Sequence, residues 1–114
     1  MRPEKLYLTD IVEAAQSIAR FVQGEGFDEF EQNEMMNSAV LQKLTVIGEA
    51  ASRLPKEFTN RFPEIPWVDI IAFRNIAVHE YCAIRWDIAW IAATEEVPVL
   101  KEQVEKILQE EFAE

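Results

Sequence analysis

Apolar residues recur along this chain at the spacing that lines up one face of an α-helix, and nowhere do they keep the strict alternation of a half-buried strand. Tyr7, Ile11, Ala14, Ile18 and Phe21 form one such stripe, Pro3 suits its first turn, and Gly24 and Gly26 end it, so a helix is expected over about 4–23. Asp28 with Glu31 three residues on has the form of a capping box, and Met36, Val40, Leu44, Ile47, Ala51 and Leu54 carry a long second helix to Pro55, with a break expected near Asn33. KEFTNRF reads as a short amphipathic turn or helix before Pro63 and Pro66, and Pro66 suits the first position of a helix over about 66–80. The last helix is expected over about 86–109, with Pro98 bending or dividing it. The chain therefore predicts an all-α, up-and-down bundle of about four to five helices, without repeats, linkers or low-complexity tracts.

Composition narrows this picture. With 114 residues, 49% of them hydrophobic, the chain suits one compact core, and residues 1–114 are expected to form a single domain. Eleven basic against twenty-one acidic residues leave a net charge of −10, which argues against nonspecific nucleic-acid binding and favours solubility or a basic partner. The lone Cys82 has no disulfide or zinc companion, and the charged N-terminus reads as neither a signal peptide nor a membrane span, so a reducing cytoplasm is the expected location.

The stretch RNIAVHEY, residues 74–81, concentrates the polar chemistry and holds the only histidine. On a helix advancing about 100° per residue, with Arg74 at zero, Tyr81 falls at about −20°, Asn75 at about 100° and His79 at about 140°. These four share one half of the cylinder, while Ile70, Phe73, Ile76 and Ala77 form an apolar stripe on the other. Trp67, Val68, Ile71 and Val78 project from the polar half too, which suggests burial on two sides, the second against another copy of the chain. A two-fold dimer packed there would bring Arg74, Asn75 and His79 of both chains into one cleft.

Such a cleft has the groups that RNA cleavage without a metal requires. The 2′-hydroxyl must lose a proton as it attacks phosphorus, the leaving 5′-oxygen must gain one, and the phosphoryl oxygens need a stabilising charge. Histidine titrates near neutrality and arginine grips phosphate with a planar fork; a dimer supplies two histidines, one as base and one as acid. R-x4-H alone is a common pattern, and His79 reads equally as a histidine favoured by the dipole at a helix C-terminus. Tyr81 likewise reads as a tyrosine that buries its ring and hydrogen-bonds its hydroxyl.

RNIAVHEY resembles the R-polar-x3-H signature of the HEPN superfamily, and its extension to R-x4-H-x-Y resembles the HepT toxin family in particular. AVLQKLTVIGEAASRLP, FPEIPWVDIIAFRN and TEEVPVLKEQVEKIL are similar to HepT-like chains in order and spacing. The resemblance implies a HEPN-type bundle forming a two-fold dimer, a metal-independent ribonuclease in the dimer cleft that needs no cofactor, and pairing with a minimal nucleotidyltransferase antitoxin of MntA type. Carried over, Arg74 and His79 are the catalytic pair, Asn75 the supporting polar residue, and Tyr81 the residue to which the antitoxin adds AMP. Bulk and negative charge on that phenolic oxygen would block the place where RNA phosphates sit. The resemblance thus implies the toxin of a type VII toxin–antitoxin system, with tRNA and mRNA both open as substrates and assembly beyond the dimer left open.

The chain departs from the resemblance at CAIR, where HepT-like sequences often carry a glycine and an acid. Arg85 there and Arg53 are candidate RNA-phosphate contacts, with Arg61 a further member of a patch that would offset the acidic charge. Glu49 in IGEAA reads either as a partner for an arginine near the cleft or as a solvated carboxylate. Cys82 reads as a small buried hydrophobe, Trp67, Trp86 and Trp90 as core or dimer packing, and EKILQEEFAE as a solvated helix end. The alternative function is a non-enzymatic helical module that binds a nucleotide or a nucleotidyltransferase partner.

Overall fold

The computed structural model describes residues 3–76 and 84–113, and among these there is no strand. Helix α1 spans Pro3–Val22 and ends where Gly24 turns the chain at φ 75°, a left-handed conformation natural to glycine. Helices α2 (Phe27–Gln32) and α3 (Glu34–Ser52) are separate, parted at Asn33 as the sequence suggests. Asn33 is extended there, and its Oδ1 accepts from the Met36 N–H at 3.0 Å, capping α3. The expected capping box lies two residues earlier: Gly26 precedes α2 and its N–H donates to Glu29 Oε1 at 2.8 Å, so Asp28 is inside the first turn. Helix α4 is the short Lys56–Thr59.

The segment expected as one helix over 66–80 is built differently. Helix α5 covers only Trp67–Ile71 and tightens into a 3-10 turn over Ala72–Asn75. Residues 77–80 of that expected helix lie outside the described residues. The final rod runs through Pro98 unbroken: α6 (Trp86–Ile91), a wide π turn (Ala92–Glu96) and α7 (Val97–Glu111). Ala89, Ala93 and Val97 face the core at successive spacings of four, wider than the 3.6 of an α-helix, and the π turn takes up that excess. The turn also leads directly into α7, whose second residue, Pro98, has no N–H to give to an α-helical bond.

Helix α1 packs against both α3 and α7. Leu8, Ile11 and Ile18 of α1, Val40, Leu44 and Ile47 of α3, and Leu100 and Val104 of α7 are fully or almost fully buried. At about 1.5–3 kcal/mol for each large aliphatic side chain, these residues supply the main driving force for assembling the three helices. Two satellite clusters close the ends. Phe30 receives the rings of Trp86 and Trp90 at 5.9 and 5.0 Å, which confirms those tryptophans as packing residues within the chain. At the other end Phe58 stacks near Phe62 and Phe112, and Trp67 Nε1–H donates to the Phe62 carbonyl at 3.1 Å. The C-terminal stretch is docked rather than solvated: Phe112 is buried, and Glu111 pairs with Arg61 at 2.7 Å. No helix among the described residues is long and apolar enough to cross a membrane.

Candidate functional site

Of RNIAVHEY, Arg74, Asn75 and Ile76 are described; Arg74 and Asn75 sit on the 3-10 turn, which is pressed directly against α3. The close approach is possible because α3 carries a glycine there. A Cβ on Gly48 would lie 2.8 Å from the Arg74 nitrogen and 2.9 Å from the Ile71 carbonyl oxygen, closer than real side chains come. Ile70 and Phe73 are buried beside it, anchoring the turn from its apolar side as the helical stripe predicts. Sequence reasoning passed over Gly48; its signal was a single glycine inside an otherwise strong helical pattern.

The next residue of α3 reaches the other end of the same arginine. Glu49 Oε1 accepts a hydrogen bond from Arg74 Nη1 at 3.3 Å, with the two side chains 46% and 38% exposed. A pair so exposed contributes about 0.2–1 kcal/mol, so its consequence is orientation more than stability. Of the two readings of Glu49, the arginine partner is the one realised. Asn75 follows on the turn and is exposed. His79, Tyr81 and Cys82 lie outside the described residues.

Of the other nominated cations, Arg85 and Arg61 are engaged by carboxylates of their own, and Arg53 shares a groove with Glu49. Arg53 caps the C-terminal end of α3 and is exposed, lining a groove of about 350 Å³ together with Tyr7, Asp10, Gln42 and Glu49. Glu49 thus belongs to the lining of the Arg53 groove while it bonds Arg74. Arg85 precedes α6 and grips Asp87 at two points, Nε to Oδ1 at 3.0 Å and Nη2 to Oδ2 at 2.8 Å. That bond and the attraction of the opposite charge raise the Arg85 pKa, and the same bond lowers that of Asp87 below the ordinary carboxylate range. Arg61 is taken up by Glu111 at the far end and stacks over Phe58 and Phe62, so it belongs to the terminal cluster and not to the site. Among the described residues no three His, Cys, Asp or Glu side chains converge as a metal-holding group.

With the bundle and the Arg74 turn described, the chain's match to a family is informative: the family model described as Ribonuclease HepT-like matches residues 11–107. The chain belongs to that family, and its fold is a HEPN-type helical bundle. Among its relatives, the "Putative RNase MJ1380" of Methanocaldococcus jannaschii is 36% identical over 91% of this chain and 95% of its own length. The "Putative RNase TTE0752" of Caldanaerobacter subterraneus subsp. tengcongensis is 33% identical over 97% of this chain and 99% of its own. The "Probable ribonuclease HepT" of Thermococcus cleftensis is 34% identical over 93% of this chain and 96% of its own. No solved structure gives a significant match.

Proposed function

We propose that this chain is a ribonuclease toxin that cuts RNA without a metal, working as a dimer and silenced through Tyr81. The observation that carries the reading is Arg74, fixed at its backbone by Gly48 and at its tip by Glu49, at the start of a motif that lies inside the family match over residues 11–107. In this mechanism the guanidinium of Arg74 holds the scissile phosphate and stabilises its developing charge. His79 takes the proton of the 2′-hydroxyl as that oxygen attacks phosphorus, and the partner's His79 gives a proton to the departing 5′-oxygen. The products are a 2′,3′-cyclic phosphate and a 5′-hydroxyl end. Asn75 supports the phosphate from the same turn, and Arg53 and Arg85 meet neighbouring phosphates in an RNA such as tRNA or mRNA. A minimal nucleotidyltransferase antitoxin transfers AMP from a nucleoside triphosphate to the Tyr81 phenolic oxygen, releasing pyrophosphate, and the added charge keeps RNA out of the cleft. The proposed setting is the cytoplasm, with the two proteins as a type VII toxin–antitoxin pair.

Purified wild type, shown by mass spectrometry to be unmodified at Tyr81, is incubated with total RNA in EDTA beside Arg74→Ala and His79→Ala. Discrete fragments ending in cyclic phosphate from wild type alone are expected; RNA left intact by a folded, unmodified wild type would sink the proposal. One observation favours a second reading, a non-enzymatic module that binds a nucleotide or the nucleotidyltransferase. In a chain of net charge −10, Arg61, Arg74 and Arg85 each already hold a carboxylate.

A further inference from the structure

Glu49 has no step in the mechanism above, yet it touches the arginine on which that mechanism depends. A guanidinium has five N–H donors in a rigid plane. Glu49 engages only Nη1, and among the described residues Arg74 makes no other side-chain hydrogen bond or ion pair, so its Nε and Nη2 edge is uncommitted. That edge presents two parallel N–H groups, the geometry that takes two oxygens of one phosphate. The backbone end of Arg74 is fixed by the contact with Gly48, and its tip by Glu49, so consecutive residues of one long helix set both ends of the side chain. A pair this exposed adds little to stability, which leaves orientation as its physical effect.

We infer that Glu49 is a positioning residue: it holds Arg74 by one nitrogen and leaves the opposite edge for two-point capture of a phosphodiester in a single-stranded RNA. The inference rests on the ribonuclease reading for the cleavage that follows capture, but not for the geometry of capture. It also differs from a masking role, in which the Glu49 carboxylate would compete with phosphate for the guanidinium and its removal would speed the enzyme.

The test compares wild type, Glu49→Ala and Glu49→Gln in three measurements. These are cleavage of an RNA oligonucleotide, binding of the same sequence carrying 2′-O-methyl groups, and the Arg74 Nε–H resonance, assigned with Arg74→Lys. Glutamine keeps an oxygen that accepts from Nη1, whereas alanine does not. Glu49→Ala is expected to lower kcat about tenfold or more, the scale of a misplaced binding group. Its binding of the methylated RNA is expected to weaken by less than kcat falls, because removal of a negative charge offsets part of the lost orientation. Glu49→Gln is expected to stay within about threefold of wild type in kcat, since the Nη1 contact survives. In wild type and Glu49→Gln, the methylated RNA shifts a sharp Arg74 Nε–H signal; in Glu49→Ala that signal is averaged. Faster cleavage by Glu49→Ala would overturn positioning in favour of masking. Equal losses in Glu49→Ala and Glu49→Gln together with a lowered Tm would reduce Glu49 to a structural group. A wild type that cuts nothing sinks the ribonuclease reading, while an Arg74 resonance identical in all three proteins sinks this one.

Discussion

Gly48 and Glu49 show how much of a site two adjacent residues can set. Replacing a glycine by alanine inside a helix ordinarily stabilises it by about 1 kcal/mol. At Gly48 the new methyl would meet Arg74 and Ile71 backbone atoms at 2.8 and 2.9 Å, and the overpacking penalty of about 1–3 kcal/mol is the larger effect. Gly48→Ala is therefore expected to lower Tm and to slow cleavage, both readable from one preparation by thermal unfolding and an RNA assay. A rise in Tm would mean that the turn yields easily. Arg85 invites a different test, because Asp87 must release it before it can meet phosphate. The folded pKa of Asp87 is lowered, so the pair is intact above the ordinary carboxylate range and is lost as pH falls through that lowered value. At neutral pH, Asp87→Asn is expected to tighten RNA binding by about two- to fivefold, the size of a surface ion pair, as measured by fluorescence anisotropy. No change would remove Arg85 from the list of phosphate contacts.

Among the elements, those governed by local pattern were readable and those governed by packing were not. The limits of α1, the break at Asn33 and the short α4 follow from periodicity, capping chemistry and proline placement. The 3-10 turn carrying Arg74 does not, because its tight form accompanies a contact between residues 48 and 74 that no window of sequence contains. Asn37 was hidden for the same reason. Nearly fully buried in α3, it donates from Nδ2 to the carbonyls of Phe30 and Glu31 at 3.1 and 3.2 Å, finishing α2 from a neighbouring helix. Asn37→Ala leaves those carbonyls without that donor, and a loss of about 1–3 kcal/mol is expected in urea denaturation.

For the molecule as a whole, charge is the feature that bears most on the proposed RNA binding. With net charge −10 and its nominated arginines spread over α3, the 3-10 turn and the start of α6, only a few phosphates can be neutralised by one chain. Three contacts per chain, at about 0.7 each for single strands, limit the slope of log affinity against log salt to about −2 per chain. A much steeper slope in a titration would call for basic groups beyond Arg53, Arg74 and Arg85. Composition made this acidity plain from the start, while the pairing of Arg61, Arg74 and Arg85 with carboxylates needed coordinates. The wide turn ahead of Pro98 has a bearing on how this chain can vary in length. A π turn is the local shape of an α-helix that has absorbed one extra residue, and its unwinding is confined to Ala92–Glu96. Deleting Thr94 would let that segment close into a regular helix. The same deletion inside α7 would rotate every later core residue away from α1, which makes this turn the place in the rod where a single-codon loss is best tolerated.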